Sequence, residues 1–258
     1  MNHGEHMPRR IMPGIKPVLE MLRSSPHKIL KILYKKNIGE WVKIAALAAA
    51  NKILLQESSQ TELDKLCMDS RHLVAHQGVL AFLKEAPALQ LDEILAKTTN
   101  APLPVLLALD QISDPGNMGT LARTAWALGA AGLLLPEHSS AKPGIAAMKS
   151  SAGALELLPC SKVSNLAKAL DIAEEKGLYI YGTGIGGSNK PNTTNAFRME
   201  WQLPAILVLG NEAKGIRPGV QKRCQTMIQI PFAREFDSLN IAQAGAILLG
   251  LCAARHCQ

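Results

Sequence analysis

Aromatic residues are scarce in this sequence, at 4% of its 258 positions. Base-stacking platforms depend on aromatic rings, so stacking is not expected to be the main mode of any nucleic-acid binding. Long apolar runs are also missing: residues 44–50 form one of the longest, far short of the roughly 20 residues that span a bilayer. Residues 1–6 lack the basic-then-apolar pattern of a secretory signal. These absences predict a cytoplasmic protein without a membrane partner.

Paired cysteines are absent as well. The five cysteines form no Cys-x-x-Cys pair, and their number is odd. A disulfide framework and a zinc site are therefore both disfavoured, and a reducing compartment is expected. We predict no metal site, and we interpret the cysteines as core residues rather than nucleophiles.

Positive charge is present but unevenly distributed, with a formal net charge of +7. Residues 1–50 contain nine Lys or Arg against three Asp or Glu, whereas residues 51–258 contain nineteen against eighteen. A basic block on an otherwise balanced chain is typical of a protein that holds an anionic partner at one end. A solvated basic surface is an equally open interpretation at this point.

The chain is long and apolar enough for a sizeable core, since hydrophobic residues make up 47% of it. A shift in composition towards proline, threonine and asparagine at residues 86–104 marks a domain boundary. We predict an N-terminal domain at 1–85, a linker at 86–103 and a second domain at 104–258.

The N-terminal domain carries signals for both helices and strands. Helical patterns cover residues 18–22, 41–56 and 61–67, and a turn followed by a strand covers 76–85. Residues 27–36 alternate basic and apolar side chains, so a basic amphipathic helix and a strand are both consistent with them.

Strands and helices alternate in the second domain, which predicts an α/β fold with a largely parallel sheet. The predicted strands are 105–109, 132–135, 155–158, 178–181, 205–209 and 228–230. The predicted helices are 118–128, 142–150, 163–175, 218–224 and 241–251. Ligands bind in such sheets at the carboxyl ends of the strands, so the loops that follow three of these strands are candidate sites.

The last of these loops leads into a C-terminal helix rich in small residues. Pro231 ends the preceding strand because it has no N–H for the ladder, and Asp237 or Ser238 can cap the helix. The small side chains predict close packing against another element. The Ser-Leu-Asn sequence at 238–240 fits a backbone that contacts a ligand, and it fits a simple capped helix equally well.

The first loop combines a turn, a helix start and an arginine. Asn117 follows an Asp-Pro-Gly turn and is expected to cap a helix that carries Arg123 about a turn and a half further on. A helix N-terminus with an arginine is a natural phosphate site. Alternatively, Arg123 could pair with a nearby carboxylate, Asp110 or Asp114.

The second loop is bounded by Gly210 and Gly215, which allow positive φ and close approach to a ligand. It lacks the Gly-Lys-Ser/Thr ending of a phosphate-binding Walker loop. The glycine-rich stretch 183–188 is a weaker signal, more typical of a surface loop.

Taken together, the three loops resemble the three motifs of the SpoU/TrmH family of RNA ribose 2′-O-methyltransferases, which belongs to the SPOUT superfamily. The matching residues are Asp114-Pro-x-Asn117-x-Gly119-x-x-x-Arg123-Thr-Ala, Leu209-Gly210-x-Glu212, and Ile230-Pro231 followed by Ser238-Leu239-Asn240. Three motifs in series over residues 105–254 are far more specific than any one of them. Upstream, Gly14-x-x-x-Val18-x-x-x-Leu22 and His76-Gln77-Gly78-Val79 resemble the branch that methylates a guanosine of 23S rRNA.

The resemblance implies a deep trefoil knot in the C-terminal domain, S-adenosylmethionine as cofactor, a homodimer, and a small N-terminal α/β domain that binds RNA. The implied cofactor contacts are Gly210, Ile230 and Leu239, with Leu209 and Thr183 as further candidates. The implied catalytic residues are Arg123, Asn117, Glu212, Ser238 and Asn240.

Two features of this chain qualify what the resemblance implies. The family's arginine is often proposed as the base, but a guanidinium with a pKa above about 12 is a poor one, so we expect Arg123 to bind phosphate and stabilise the developing alkoxide. Ala213 stands where the family usually has Gly, and Phe232 where Met is common. Ala213 predicts either an ordinary negative φ or local strain.

Three functions are compatible with these motifs. Methylation of a guanosine in rRNA is favoured by the N-terminal domain and by the sequence at 76–79. The same reaction on tRNA is the first alternative, and a non-catalytic RNA-binding factor of the same fold is the second, which the complete motif set disfavours. His76 is expected to be structural or to contact RNA, and His138 to lie on the surface.

Overall fold

The computed structural model describes residues 10–69, 72–84, 88–137, 144–184, 193–211, 213–234 and 237–256. The chain divides into two compact units: unit 1 comprises Met1–Pro87 and Pro143–Leu157, and unit 2 comprises Ala88–Lys142 and Leu158–Gln258. A stretch from the middle of the sequence therefore belongs with the N-terminal residues. The linear boundaries expected at 85 and 104 stay a prediction.

Unit 1 is built around a small mixed sheet. Residues 10–84 form β1 (Ile11–Pro13), α1 (Ile15–Ser24), β2 (Ile29–Tyr34), α2 (Trp41–Ala50), β3 (Leu54–Glu57), α3 (Gln60–Leu66), β4 (Met68–Asp69), β5 (His72–Leu73) and β6 (Val79–Leu83). The sheet order is β1-β6-β2-β3; β6 is antiparallel to both of its neighbours, and β2 and β3 run parallel. β4 and β5 pair separately.

Two sequence interpretations are decided by this sheet. The ambiguous residues 27–36 are mostly the strand β2, because β6 and β3 pair with it on either side. The helix predicted over 41–56 ends at Ala50, since Lys52 adopts a φ of 55° that a helix does not accept, and the chain then enters the edge strand β3.

Unit 2 is a parallel α/β sheet with helices on both faces. Its elements are α4 (Leu91–Thr98), β7 (Leu103–Asp110), α5 (Pro115–Ala127), β8 (Ala130–Pro136), β9 (Cys160–Val163), α8 (Leu166–Glu175), β10 (Tyr179–Thr183), β11 (Thr193–Asn195), β12 (Ala205–Gly210), α9 (Pro218–Gln221), β13 (Thr226–Gln229) and α10 (Ile241–His256). Helices α6 (Ile145–Ser150) and α7 (Ala154–Leu157) belong to unit 1. β7 to β13 form one parallel sheet in the order β11-β13-β10-β12-β7-β8-β9. The predicted parallel α/β domain and separate N-terminal unit are confirmed.

The central strands of this sheet are buried at every residue in β7, β8 and β12. Strands covered on both faces need continuous apolar runs, which is why these three were visible in the sequence. Ile206 and Val208 of β12 pack into a cluster with residues of α4 and α8. Leu209, the next residue, lies on the opposite face near α10.

Helix α10 packs closely through Gly245. A Cβ added there would lie 2.3 Å from Leu121 Cδ2 of α5 and 3.1 Å from Leu209 Cδ1 of β12. Distances this short leave no room for a larger residue without movement of α5. The close packing that the small residues predicted is therefore present, and it joins the last helix to the first helix of the site.

The strand predicted at 155–158 is wrong. Residues Ala154–Leu157 form α7, which with α6 belongs to unit 1. The strand in this region is β9, which ends at Val163, where the helix over 163–175 was predicted to begin. Glu156 is 4% exposed and forms an ion pair with Arg10, while Lys28 Nζ donates to its carbonyl oxygen. Burial raises the pKa of Glu156 above its ordinary value. These contacts, from more than a hundred residues away, are not visible in a local pattern.

Candidate functional site

A cleft opens in unit 2 at the carboxyl ends of β10, β12 and β13. Five predicted site residues line it: Thr183, Gly210, Ile230, Ser238 and Leu239. They come from stretches of sequence up to 56 residues apart, which meet because β10 lies between β12 and β13 in the sheet. The carboxyl edge of a parallel sheet is where such folds bind ligands.

The wall of the cleft is mostly apolar. Phe232, Ile241 and Leu248 add to Ile230 and Leu239, and the polar residues of the lining are Thr183, Asn211 and Ser238. Small-molecule sites generally combine apolar lining with a few fixed polar groups. Phe232 was expected only as a departure from the family, and Ile241 and Leu248 were not predicted to line a site.

Asn211 organises the loop beside the cleft. Its main chain pairs with Gly215 through N–H···O bonds of 3.1 and 2.8 Å, and its Oδ1 accepts from the N–H groups of Ala213 and Lys214 at 3.0 and 3.1 Å. Its Nδ2 donates to Gln111 O at 3.1 Å. Ala213 does not adopt a positive φ, so the family departure there is accommodated without left-handed strain. Asn211 was not among the site residues predicted from the sequence.

Gly210 and Gly215 serve this loop in different ways. Gly215 has a φ of 68°, which favours glycine. Gly210 is needed for close approach instead: a Cβ there would lie 2.4 Å from Gly215 C and 2.5 Å from Ile216 N. Both contacts are to main chain, which a side-chain rotation cannot relieve.

Asp110 ends β7 and anchors the far end of the same loop. It is fully buried and accepts from Arg217 N at 2.8 Å through Oδ2 and from Arg217 Nε at 2.8 Å through Oδ1. Its partner is therefore Arg217 and not Arg123. A charged residue at the end of a buried apolar strand nearly always has such a partner, and this signal was present in the sequence.

A hydrogen bond links the first and third motifs. Asn240 Nδ2 donates to Asn117 Oδ1 at 2.9 Å, and Asn240 Oδ1 accepts from Ala242 N at 2.9 Å. Asn240 thus caps α10, a role that the sequence assigned to Asp237 or Ser238. Asp114 caps α5, because its Oδ1 accepts from Gly116 N at 2.8 Å, and Asn117 lies inside the first turn.

The other predicted residues are placed differently. Arg123 lies exposed on α5, and it forms no ion pair with any acidic residue in the described part of the chain. Leu209 is buried in β12 below the cleft rather than lining it. Glu212 lies outside the described residues, as does His138.

Three of the cysteines are poor nucleophiles. Burial raises the pKa of Cys224 and of Cys252 to about 12, and that of Cys67 to about 11. All three are therefore thiols at neutral pH, in agreement with the interpretation as core residues. Among the described residues, no group of three or more His, Cys, Asp or Glu side chains is placed to hold a metal ion, and no helix is both long and apolar enough to cross a bilayer.

This chain belongs to the SpoU rRNA methylase family, whose model matches residues 104–250. A second family model, described as RNA 2′-O ribose methyltransferase substrate binding, matches residues 11–89. The protein is therefore an RNA 2′-O-methyltransferase of the SpoU family, a family that uses S-adenosylmethionine, as the motifs predicted.

Similar proteins agree with this family over nearly the whole chain. A 23S rRNA (guanosine-2′-O-)-methyltransferase, RlmB, of Pectobacterium atrosepticum is 30% identical over 241 residues, covering 93% of this chain and 95% of that protein. An uncharacterized tRNA/rRNA methyltransferase of Mycobacterium ulcerans is 32% identical over 238 residues, covering 92% and 74%. The solved SpoU methyltransferase AviRb of Streptomyces viridochromogenes, in complex with the cofactor AdoMet, has a TM-score of 0.74 at 23% identity, covering 96% and 91%.

Proposed function

We propose that this protein transfers a methyl group from S-adenosylmethionine to the ribose 2′-hydroxyl of a guanosine in 23S rRNA. The name of the RlmB relative and the sequence at 76–79 support rRNA as the substrate. The basic block in residues 1–50 supports an RNA-binding N-terminal part. The mycobacterial relative is named a tRNA/rRNA methyltransferase, so tRNA is the alternative substrate.

The observation that carries this proposal is the cleft at the ends of β10, β12 and β13. An adenosine needs a flat apolar slot with a few main-chain partners, and this cleft offers apolar side chains beside the ends of three strands. Gly210 keeps the loop main chain close to the strand end. The residues present therefore fit the cofactor.

Three stretches of main chain would hold S-adenosylmethionine, at Gly210, Ile230 and Leu239. Thr183 would contribute less, since its hydroxyl donates to Val208 O at 3.2 Å, and Leu209 would support the slot from below. The bound cofactor supplies an activated sulfonium methyl group, so the protein's task is orientation, which can contribute roughly 7–11 kcal/mol.

Arg123 is assigned to the RNA side of the reaction. It is exposed and without an acidic partner in the described chain, so its guanidinium is available to a phosphate and to charge that develops on the ribose oxygen. The Asn240–Asn117 bond holds the start of α5 against the start of α10. Asn117, Ser238 and Asn240 would position these groups, and Glu212 is assigned by the family motif alone.

The family resemblance supports further proposals about the whole molecule. We assign to it a trefoil knot in unit 2, a homodimer and a cytoplasmic location. The division into an RNA-binding part at 1–85, a linker at 86–103 and a methyltransferase part at 104–258 is proposed in the same sense.

The proposal is tested by calorimetric titration of the protein with S-adenosylmethionine, followed by a tritiated-methyl assay on purified 23S rRNA, 16S rRNA and tRNA. We expect cofactor binding and label in 23S rRNA only, with mass spectrometry placing it on a guanosine ribose. Label in tRNA alone would replace the rRNA assignment by the tRNA alternative. Absence of cofactor binding would favour a non-catalytic RNA-binding factor.

A further inference from the structure

Unit 1 contains a second cleft, which includes His76-Gln77-Gly78 but none of the three methyltransferase motifs of unit 2. It lies between the loop after β2, residues 35–39, and the turn before β6, residues 75–78. β2 and β6 are neighbours, with Tyr34 opposite Val79, so the loop and the turn are at the same end of the sheet. α3 forms the third side through Gln60 and Asp64.

A buried histidine fixes the floor of this cleft. His76 is 3% exposed, and its Nδ1 accepts from Gly78 N at 3.0 Å. Nδ1 therefore carries no proton, so the ring proton is on Nε2, which donates to Asp64 Oδ1 at 2.8 Å. Gln60 Nε2 donates to the same Asp64 oxygen at 2.9 Å. Asp64 is thereby turned towards His76 and Gln60.

The walls are also held in place. A Cβ on Gly78 would lie 2.6 Å from Ile38 Cγ2, so the turn sits directly against the loop. Gln77 Oε1 accepts from Ile15 N at 3.1 Å, and Lys35 N donates to Gly78 O at 2.8 Å. A site with walls fixed in this way loses little conformational entropy when it binds.

The groups presented to solvent in this cleft suit one kind of ligand. Lys35 and Lys36 are exposed and lie on one wall, where Lys35 Nζ donates to Gln60 Oε1 at 3.4 Å, and the exposed Asn37 follows them. Lys36 meets Glu57 at 3.4 Å, but this pair is exposed and weak. Ammonium groups bind phosphate, and amide groups hydrogen-bond to base edges of unpaired nucleotides.

We infer that this cleft of unit 1 binds a single unpaired nucleotide of the RNA substrate, with its phosphate on Lys35 and Lys36 and its base edge on the amide of Asn37. The inference rests on the proposed function, because that function makes RNA the substrate. Asn37 adopts a φ of 61°, so Asn37→Gly removes the amide without straining the backbone.

The test measures binding of full-length protein to a fluorescein-labelled, unpaired oligoribonucleotide by anisotropy, over a range of KCl concentrations. The double variant Lys35→Gln, Lys36→Gln should bind about tenfold more weakly and lower the salt slope by about 0.7, the contribution of one single-strand phosphate contact. Asn37→Gly should weaken binding about fivefold with an unchanged salt slope. Lys52→Gln, which removes an exposed lysine of unit 1 that does not line the cleft, is the matched control and should change affinity less than twofold.

Both cleft variants should bind S-adenosylmethionine as the unaltered protein does, which shows that unit 2 is intact, and an unchanged thermal unfolding curve shows that unit 1 is folded. The inference is overturned if they bind the oligoribonucleotide as tightly as Lys52→Gln. A protein that binds RNA through this cleft but transfers no methyl group would overturn the proposed function and not this inference. If methyl transfer is normal and the cleft variants keep their RNA affinity, this inference is overturned and the proposed function is not.

Discussion

The two clefts of this protein are built from different parts of the polypeptide. The cleft of unit 2 is lined mostly by apolar side chains beside three strand ends, whereas that of unit 1 includes lysine, carboxylate and amide side chains from two loops and α3. A site made of main chain is sensitive to atoms that are added, and a site made of side chains is sensitive to atoms that are removed. The difference suits a small cofactor in one case and a polyanion in the other.

The largest expected effect is on methyl transfer, and it comes from Arg123, a side chain of unit 2 that does not line the cleft. Arg123→Ala should lower methyl transfer about 10²–10³-fold, because the charge that stabilises the transition state is lost. Cofactor affinity by calorimetry should not change, since the cleft does not include Arg123. Arg198→Ala removes another exposed arginine of unit 2 and should leave transfer unaltered. Near-normal turnover of Arg123→Ala would contradict the role assigned to it.

The next largest effect tests the buried anchor of the cleft loop. Asp110→Ala should lower the free energy of unfolding by about 3 kcal/mol, because two hydrogen bonds and an ion pair with Arg217 are lost and this guanidinium can only partly rehydrate. Asp171→Ala breaks an exposed pair with Arg223 and should cost about 1 kcal/mol or less. Urea unfolding measures the free energy of unfolding of both variants. Equal losses of stability would show that burial of the Asp110 pair does not add to its contribution.

Gly210→Ala tests the claim that added atoms disturb the main-chain cleft. The new Cβ would meet main chain of Gly215 and Ile216, so we expect about 1–3 kcal/mol of destabilisation and cofactor binding at least about tenfold weaker. Gly219→Ala is the control, because nothing lies within 4 Å of its Cβ position. If calorimetry gives both variants the same cofactor affinity, close approach at Gly210 is not required.

The smallest effect concerns the link between the first and third motifs. Asn240→Ala should lower stability by about 1 kcal/mol through loss of the cap on α10, whereas Asn240→Asp keeps a capping oxygen and should lose less. Thermal unfolding measures both. An alanine variant as stable as the aspartate variant would show that capping contributes nothing measurable.

Much of unit 2 could be predicted from the sequence because its central strands are buried on both faces and therefore apolar throughout. Caps were harder to assign. Asp114, Asn117, Asp237, Ser238 and Asn240 are all good capping residues, and which of them caps depends on where each helix starts in three dimensions. The motifs located the cleft, while its apolar wall from Ile241 and Leu248 follows only from the path of α10.

The local errors in unit 1 share another physical cause. Residues 155–158 look like a strand by composition, yet Glu156 is buried by Arg10 and becomes part of a helix. Residues 54–57 became a strand because β2 offers a free edge beside them. In both cases a contact distant in sequence overrides a weak local preference.

The return of α6 and α7 to unit 1 has a consequence for dissecting the protein. Asp69 accepts from Ala146 N at 3.2 Å, and Met12 Sδ lies 3.3 Å from the Cβ position of Gly153, so the N-terminal fold is completed by residues from the middle of the gene product. A fragment cut at residue 87 would lack that piece and expose apolar surface. Supplied separately as a peptide, residues 143–157 should rescue such a fragment, as in split-protein complementation.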